Sequence, residues 1–129
     1  MKVLITGVAG FIGMHLAKKI LSNKFSVLGI DNINNYYSQK LKKDRLKLLN
    51  KYKNFRFKKI DLNNKKKLED SFKKFKPNIV INLAAQAGVR YSLKYPEKYL
   101  SSNIFGFFNI IDLSSKYRVK HFIYASSSS

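Results

Sequence analysis

Cysteine is absent, which excludes disulfides, thiolate metal sites and a cysteine nucleophile. No segment approaches the roughly 20 apolar residues of a membrane span. The apolar run behind Lys2 is too short for the core of a signal peptide, so a soluble, cytoplasmic protein without a membrane partner is expected. Internal repeats at solenoid periods and an interior linker are also missing. The 129 residues therefore read as one domain, large enough to bury a sizeable core. His15 and His121 have no ligand spacing to each other or to acids, so no metal site is expected.

Acidic residues are few: 7 stand against 26 lysines and arginines, a net charge of +19. Such a charge can mark a nucleic-acid binder. The excess is concentrated between Lys40 and Lys76, where KLKKDRLKLLNKYKN and NNKKKLEDSFKKFK place lysines on the polar sides of helix-like patterns. Arginine, which suits forked contacts to bases and phosphates, is scarce, and no aromatic–basic recognition motif accompanies the lysines. The lysines read as solvated helix faces, with no nucleic-acid partner. A nucleotide remains the anionic ligand to consider.

What is present is a patterned start, MKVLITGVAGFIG. Lys2 to Thr6 is a short apolar run rich in β-branched residues, Gly7, Gly10 and Gly13 follow, and helical periodicity begins at Phe11. That order is strand, tight turn, helix. A helix N-terminus has unpaired backbone N–H groups and a positive dipole end, which suit a pyrophosphate brought close by a glycine turn. The same glycines also serve a tight turn and close helix packing with no ligand, so context must decide.

The context is a βα alternation. Phe11, Ile12, Leu16, Ile20 and Leu21 form the apolar face of a first helix that stops near Asn23. FSVLGI, Phe25 to Ile30, is a second buried strand ending at Asp31, where a carboxylate can accept hydrogen bonds from ribose hydroxyls. A carboxylate disfavours a 2′-phosphate, and Asn32, Ile33 and Asn34 supply no cation to receive one, so NAD is preferred over NADP. A helix from about Gln39 to Leu49 follows the NINNYYS loop. Tyr36 and Lys40 share a Tyr-x-x-x-Lys spacing but lie after the second strand, on the adenosine side, and are not read as catalytic. Phe55 to Ile60 is a third strand ending at Asp61-Leu62. Lys65 to Lys76 is a third helix with Leu68, Phe72 and Phe75 on one face, terminated by Pro77.

NIVINL, Asn78 to Leu83, has the continuous apolar run of a central parallel strand and opens into the small-residue loop Ala84-Ala85-Gln86-Ala87-Gly88. Pro96 starts a fourth helix of about 20 residues, with Leu100, Ile104, Phe107, Phe108 and Ile111 as its core face and Asn103 and Gly106 sharing a side. Val119 to Ala125 is the fifth strand, ending in Ser126 to Ser129. The economical topology is an α/β fold, an open parallel doubly wound sheet of order 3-2-1-4-5.

Together GVAGFIG, GIDN, VINLAAQAGVRYS, SNIFGFFNI and FIYASSSS resemble the extended short-chain dehydrogenase/reductase family, in its NAD-dependent nucleotide-sugar epimerase and dehydratase branch. Within that branch, AAQAGVRYS and DNINNYYSQKLKKDRL are most similar to UDP-glucuronate 4-epimerases. The resemblance implies pyrophosphate contacts from Gly7, Gly10, Phe11, Ile12 and Gly13 and ribose contacts from Asp31 and Asn32. Asp61 and Leu62 would border the adenine, Leu83, Ala84, Ala85 and Gln86 would line the cofactor, and Asn103 would lie near the nicotinamide side. It implies that Ser127 hydrogen-bonds the sugar hydroxyl being oxidised, with Ser126 and Ser128 as neighbouring candidates, and that Arg90 helps bind the nucleotide-sugar. It also implies a homodimer at full length, a tyrosine base and lysine downstream of the serine, and a C-terminal substrate-binding portion. This chain then reads as an incomplete N-terminal NAD-binding domain, inactive by itself, with an exposed fifth strand liable to aggregate. UDP-galactose epimerisation, 4,6-dehydration and a non-catalytic dinucleotide-binding module remain as alternatives.

Overall fold

Lys2–Thr6 forms the central strand β1, with Ser26–Asp31 (β2) and Ile79–Asn82 (β4) hydrogen-bonded on either side of it. Phe55–Lys59 (β3) pairs with β2, and His121–Tyr124 (β5) pairs with β4. All four pairings are parallel and the order is β3-β2-β1-β4-β5, as expected. These coordinates come from a computed structural model, which describes residues 1–127.

The period of two along β1 sends Val3 and Ile5 to one side of the sheet and Leu4 to the other. On the first side they pack with Val27, with Ala17 and Leu21 of α1 (Phe11–Ser22), and with Leu46 and Leu49 of α2 (Gln39–Leu49). On the second, Leu4, Leu28, Ile30 and Val80 pack with Leu68 and Phe72 of α3 (Lys65–Phe75), the residues expected to form its inner face. Burial on both faces is why the central strands read as continuous apolar runs.

Two helices begin with a side chain that satisfies their first turn. Ser38 accepts from Leu41 N at 3.2 Å at the start of α2, and Asn64 accepts from Lys67 N at 3.1 Å at the start of α3. Helix α3 ends at Lys76, whose left-handed φ of 53° turns the chain into Pro77. Helix α1 has Gly10 at its N-terminus and no side-chain cap.

Two expected apolar faces are corrected. Phe11 and Ile12 are 67% and 64% exposed, and α1 instead buries Gly13, Met14, Ala17 and Leu21. Phe11 and Ile12 point outward from the first turn, while Gly13 and Met14 of the same turn already face the core. The expected fourth helix from Pro96 is broken into α5 (Pro96–Tyr99), a π-helical segment (Leu100–Gly106) and α6 (Phe107–Lys116), and a separate short helix, α4 (Val89–Lys94), precedes it. A π turn takes one residue more than an α turn and shifts the phase of everything after it. Gly106, Ile110 and Leu113 therefore face inward, while Leu100, Ile104, Phe108 and Ile111 stand exposed. Gly106 permits this by bringing the helix backbone against Leu62, whose Cβ would lie 3.0 Å from any added methyl group. The edge strand β5 is open as expected, with Ile123 and Tyr124 exposed.

Candidate functional site

The site lies where β1 and β2 end and α1 begins. Gly7 has a φ of 70°, in the region that only glycine occupies freely, and its N–H donates to Ile30 O at 2.8 Å. The turn closes with Gly10 N–H on Gly7 O at 3.0 Å. A Cβ at Gly7 would stand 2.8 Å from Ala84 N, so this glycine also lets the loop after β4 approach the turn. Uncapped α1 thus starts at the floor of a cleft between the ends of β1, β2 and β4.

Asp31, at the end of β2, ties that turn to the following loop. Its Oδ2 accepts from Ala9 N at 3.0 Å and its Oδ1 from Ile33 N at 2.9 Å. Ile33 is buried at a φ of 52°, an unusual conformation for a β-branched residue, and the carboxylate and the core hold it there. Each carboxylate oxygen retains a lone pair for a ligand hydroxyl.

Beyond β4 a buried polar relay shapes the opposite wall. Thr6 Oγ1 donates to Asn82 Oδ1 at 2.5 Å and accepts from Ala84 N at 3.2 Å. Thr6→Val keeps the shape but strands an oxygen and an N–H, so about 2 kcal/mol of stability should be lost. Urea denaturation checks this, and a loss below about 0.5 kcal/mol would mean that the relay is not needed.

Of the residues expected to bind a dinucleotide, Gly7, Gly10, Asp31, Asn32, Asp61, Leu62, Leu83, Ala84, Ala85 and Gln86 all line this one cleft. Phe11, Ile12 and Gly13, in the first turn of α1, are not among the lining residues. Asn103 does not line it. From the π-helical segment its amide accepts from Gln86 N at 2.8 Å and donates to Gln86 O at 3.1 Å, clamping the loop that does. Arg90 is exposed on α4 and is not among the lining residues. Ser126 and Ser127 lie exposed just after β5, and Ser128 and Ser129 fall outside the described residues.

The structure adds residues that the sequence reading passed over. Tyr36 and Tyr37 line the cleft, with Tyr36 packed on Tyr91 at 4.8 Å between ring centres and its hydroxyl over Gly88. Lys40 points away into an exposed ion pair with Asp44 at 3.1 Å, so the Tyr36/Lys40 spacing forms no catalytic pair. Lys42 lines the cleft too, and only 5% of it is exposed. Residues 32–34 supply no cation, but α2 folds one back to line the cleft that Asp31 lines. Burial pushes the Lys42 ammonium below its usual range, Asp31 opposes that shift and Arg45 adds to it. The signal was legible, since Lys42 shares one helix face with Leu46 and Leu49.

The family described as GDP-mannose 4,6 dehydratase matches residues 4–129. Protein CapI of Staphylococcus aureus is 54% identical over 129 residues, which are 100% of this chain and 38% of that protein. A UDP-glucuronate 4-epimerase of Thermodesulfobacterium geofontis is 44% identical over 126 residues, 98% of this chain and 39% of that protein. Among solved structures, the UDP-glucuronic acid 4-epimerase of Bacillus cereus, in complex with UDP-glucuronic acid and NAD, superposes with a TM-score of 0.89 at 33% identity, covering 100% of this chain and 41% of that one. The UDP-glucose 4-epimerase of Thermotoga maritima gives a TM-score of 0.85 at 32% identity, covering 98% and 38%.

Proposed function

Because this chain belongs to the GDP-mannose 4,6 dehydratase family, we propose that it is the NAD-binding portion of a nucleotide-sugar 4-epimerase whose substrate is UDP-glucuronate. The observation that carries the reading is Asp31 at the end of β2, holding Ala9 N–H beside the uncapped start of α1 in a single cleft. The Asp31 carboxylate is built to accept from a ribose diol, and the first-turn N–H groups of α1 suit a pyrophosphate. The names of the Thermodesulfobacterium and Bacillus proteins support the choice of sugar.

NAD, when bound, would supply the oxidant that opens the reaction at sugar C4 and the reductant that closes it. The chain's own residues bind and orient. Gly7 and Gly10 bring backbone to the dinucleotide, Ala84 to Gln86 form the wall, and Ser127 would hydrogen-bond the sugar hydroxyl. Arg90, exposed after the small-residue loop, would reach an anionic part of the nucleotide-sugar. The chain spans 38–40% of the length of the first curated relatives it matches. The tyrosine base and its lysine belong to the remainder in this reading, so these residues alone epimerise nothing. The exposed face of Leu100, Ile104, Phe108 and Ile111 supports a homodimer of the longer protein.

NADH titration of the purified chain, followed by cofactor fluorescence and thermal unfolding, tests the reading. Saturable binding is expected, with about 2.7 kcal/mol of added stability at a hundred times the dissociation constant. UDP-glucuronate should not turn over. Failure to bind NADH, or steady turnover by the 129 residues, would overturn the assignment, and a monomer of the longer protein by light scattering would remove the homodimer.

A further inference from the structure

A second concave surface lies at the opposite end of the sheet from the cofactor cleft, where the loops leading into β4 and β5 run side by side. Lys73 and Lys76 line it from the end of α3, and Arg118 and Lys120 line it from the loop between α6 and β5. Among the described residues no acid lines it. Of the four cations only Lys73 has a carboxylate nearby, Glu69 Oε1 at 4.0 Å, and that oxygen already accepts from Lys116 Nζ at 2.6 Å and from Tyr117 Oη at 2.7 Å. The side chains of Lys76, Arg118 and Lys120 have no hydrogen bond, ion pair or ring contact among the described residues.

The backbone beneath them is fixed. Asn78 O accepts from Lys120 N at 2.9 Å and from His121 N at 3.3 Å, and Asn78 N–H donates to Lys2 O at 2.8 Å, so both loops are tied to each other and to β1. Lys76 and Arg118 are held at φ values of 53° and 51°. Glycine or asparagine is the usual occupant of that left-handed conformation at a helix end, and another residue costs about 1 kcal/mol there. A cation near a helix C-terminus does favour the dipole. Lys73 and Lys116, in the last turns of α3 and α6, already meet that need, and Lys120 belongs to neither helix. Like charges in one concavity also repel. Gathering three unpaired cations here therefore costs stability that the fold gains nothing from.

We propose that this pocket is an anion-binding site, separate from the cofactor cleft, for a diphosphate group. Three unpaired cations leave a monovalent anion underbalanced, whereas a diphosphate spreads several negative charges over neighbouring oxygens that more than one side chain can share. Arg118, one of four arginines in the chain, supplies a fork of N–H donors that matches a phosphate, and the lysines supply point charges. Buried Phe72 and Pro77 give the pocket an apolar floor, which strengthens attraction above it. The site stands apart from the dinucleotide reading of the cleft.

Calorimetric titration of inorganic diphosphate into the longest natural form of the protein, metal-free and saturated with NADH, tests this. One saturable site is expected, with an affinity that falls steeply as salt is raised. Arg118→Gln and Lys76→Asn should each weaken binding about tenfold, and together they should remove it. Lys76→Asn should also unfold no earlier than wild type on heating, because asparagine accepts a left-handed helix end. Lys53→Gln, at an exposed lysine outside the pocket, should bind as wild type does. ADP in place of inorganic diphosphate distinguishes the sources: tighter binding that is lost in the same two variants marks a nucleotide, and weaker binding marks free diphosphate. The proposal is overturned if the NADH-saturated protein binds no diphosphate, if NADH and diphosphate displace each other, if orthophosphate binds as tightly, or if the pocket variants bind as wild type does. Should the protein take up no NADH, the same titration and variants decide the matter on the unloaded protein, so the two readings fail separately.

Discussion

Gly13→Ala should cost about 3 kcal/mol of stability and remove NADH binding with it. Gly13 lies in the first turn of α1, and its Cα faces the glycine turn rather than solvent. A Cβ there would overlap Gly7 O and stand 2.9 Å from both the Gly7 carbonyl carbon and Val8 Cα. These are backbone atoms, so no side-chain rotation relieves the clash. Gly7 cannot retreat either, because its N–H is bonded to Ile30 O and its carbonyl to Gly10 N–H. The helix would have to lift from β1, opening the packing of Met14 and Ala17 and moving its N-terminal N–H groups off the cleft floor. Gly10→Ala is the control. Its Cβ meets only Gly7 O, at 3.1 Å, and its φ of −72° suits alanine, so it should fold. Thermal unfolding with and without NADH reads both variants, and a Gly13→Ala protein as stable as wild type would refute the close packing.

Asn103→Leu is the second large effect, an expected loss of about 3 kcal/mol with NADH affinity about tenfold weaker. Leucine fills the same space but leaves Gln86 N–H and Gln86 O without the partners that now stand 2.8 and 3.1 Å away. The hydroxyl of Tyr99 on Ala87 O at 2.7 Å and on Gly88 O would then hold the loop after β4 with little help. Because Gln86 lines the cleft, loosening it should weaken binding as well as folding. Asn103→Asp keeps the acceptor for Gln86 N–H and loses the donor, so an intermediate loss is expected. Wild-type stability and affinity in Asn103→Leu would show that the clamp is redundant.

The legible part of the site is the part that is local in the chain. Gly7, Gly10 and Gly13 define a turn by spacing, Asp31 marks a strand end, and Ala84 to Gln86 follow a buried run; each position is set by residues within a few places of it. The walls that close the cleft were less legible, because they come from elsewhere. Tyr36 reaches Gly88 and Tyr91 across the cleft, and Asn103 reaches Gln86 from a helix that starts beyond it. The fourth-helix face was misplaced for a related reason: a helical period assumes constant pitch, and the π-helical segment between Leu100 and Gly106 breaks that assumption.

Composition excluded disulfides, and periodicity with glycine punctuation determined five strands, their parallel order and the end of the sheet at which a ligand binds. These follow from short-range sterics and from burial on both sheet faces, which amino-acid order controls directly. Tertiary structure alone decided the charge balance around Asp31. Lys42 shares the inner face of α2 with Leu46 and Leu49, but only the packing of that helix on the sheet carries it, almost fully buried, into the cleft that Asp31 also lines. Electrostatics act through space, and a separation of eleven residues along the chain gives no measure of that distance.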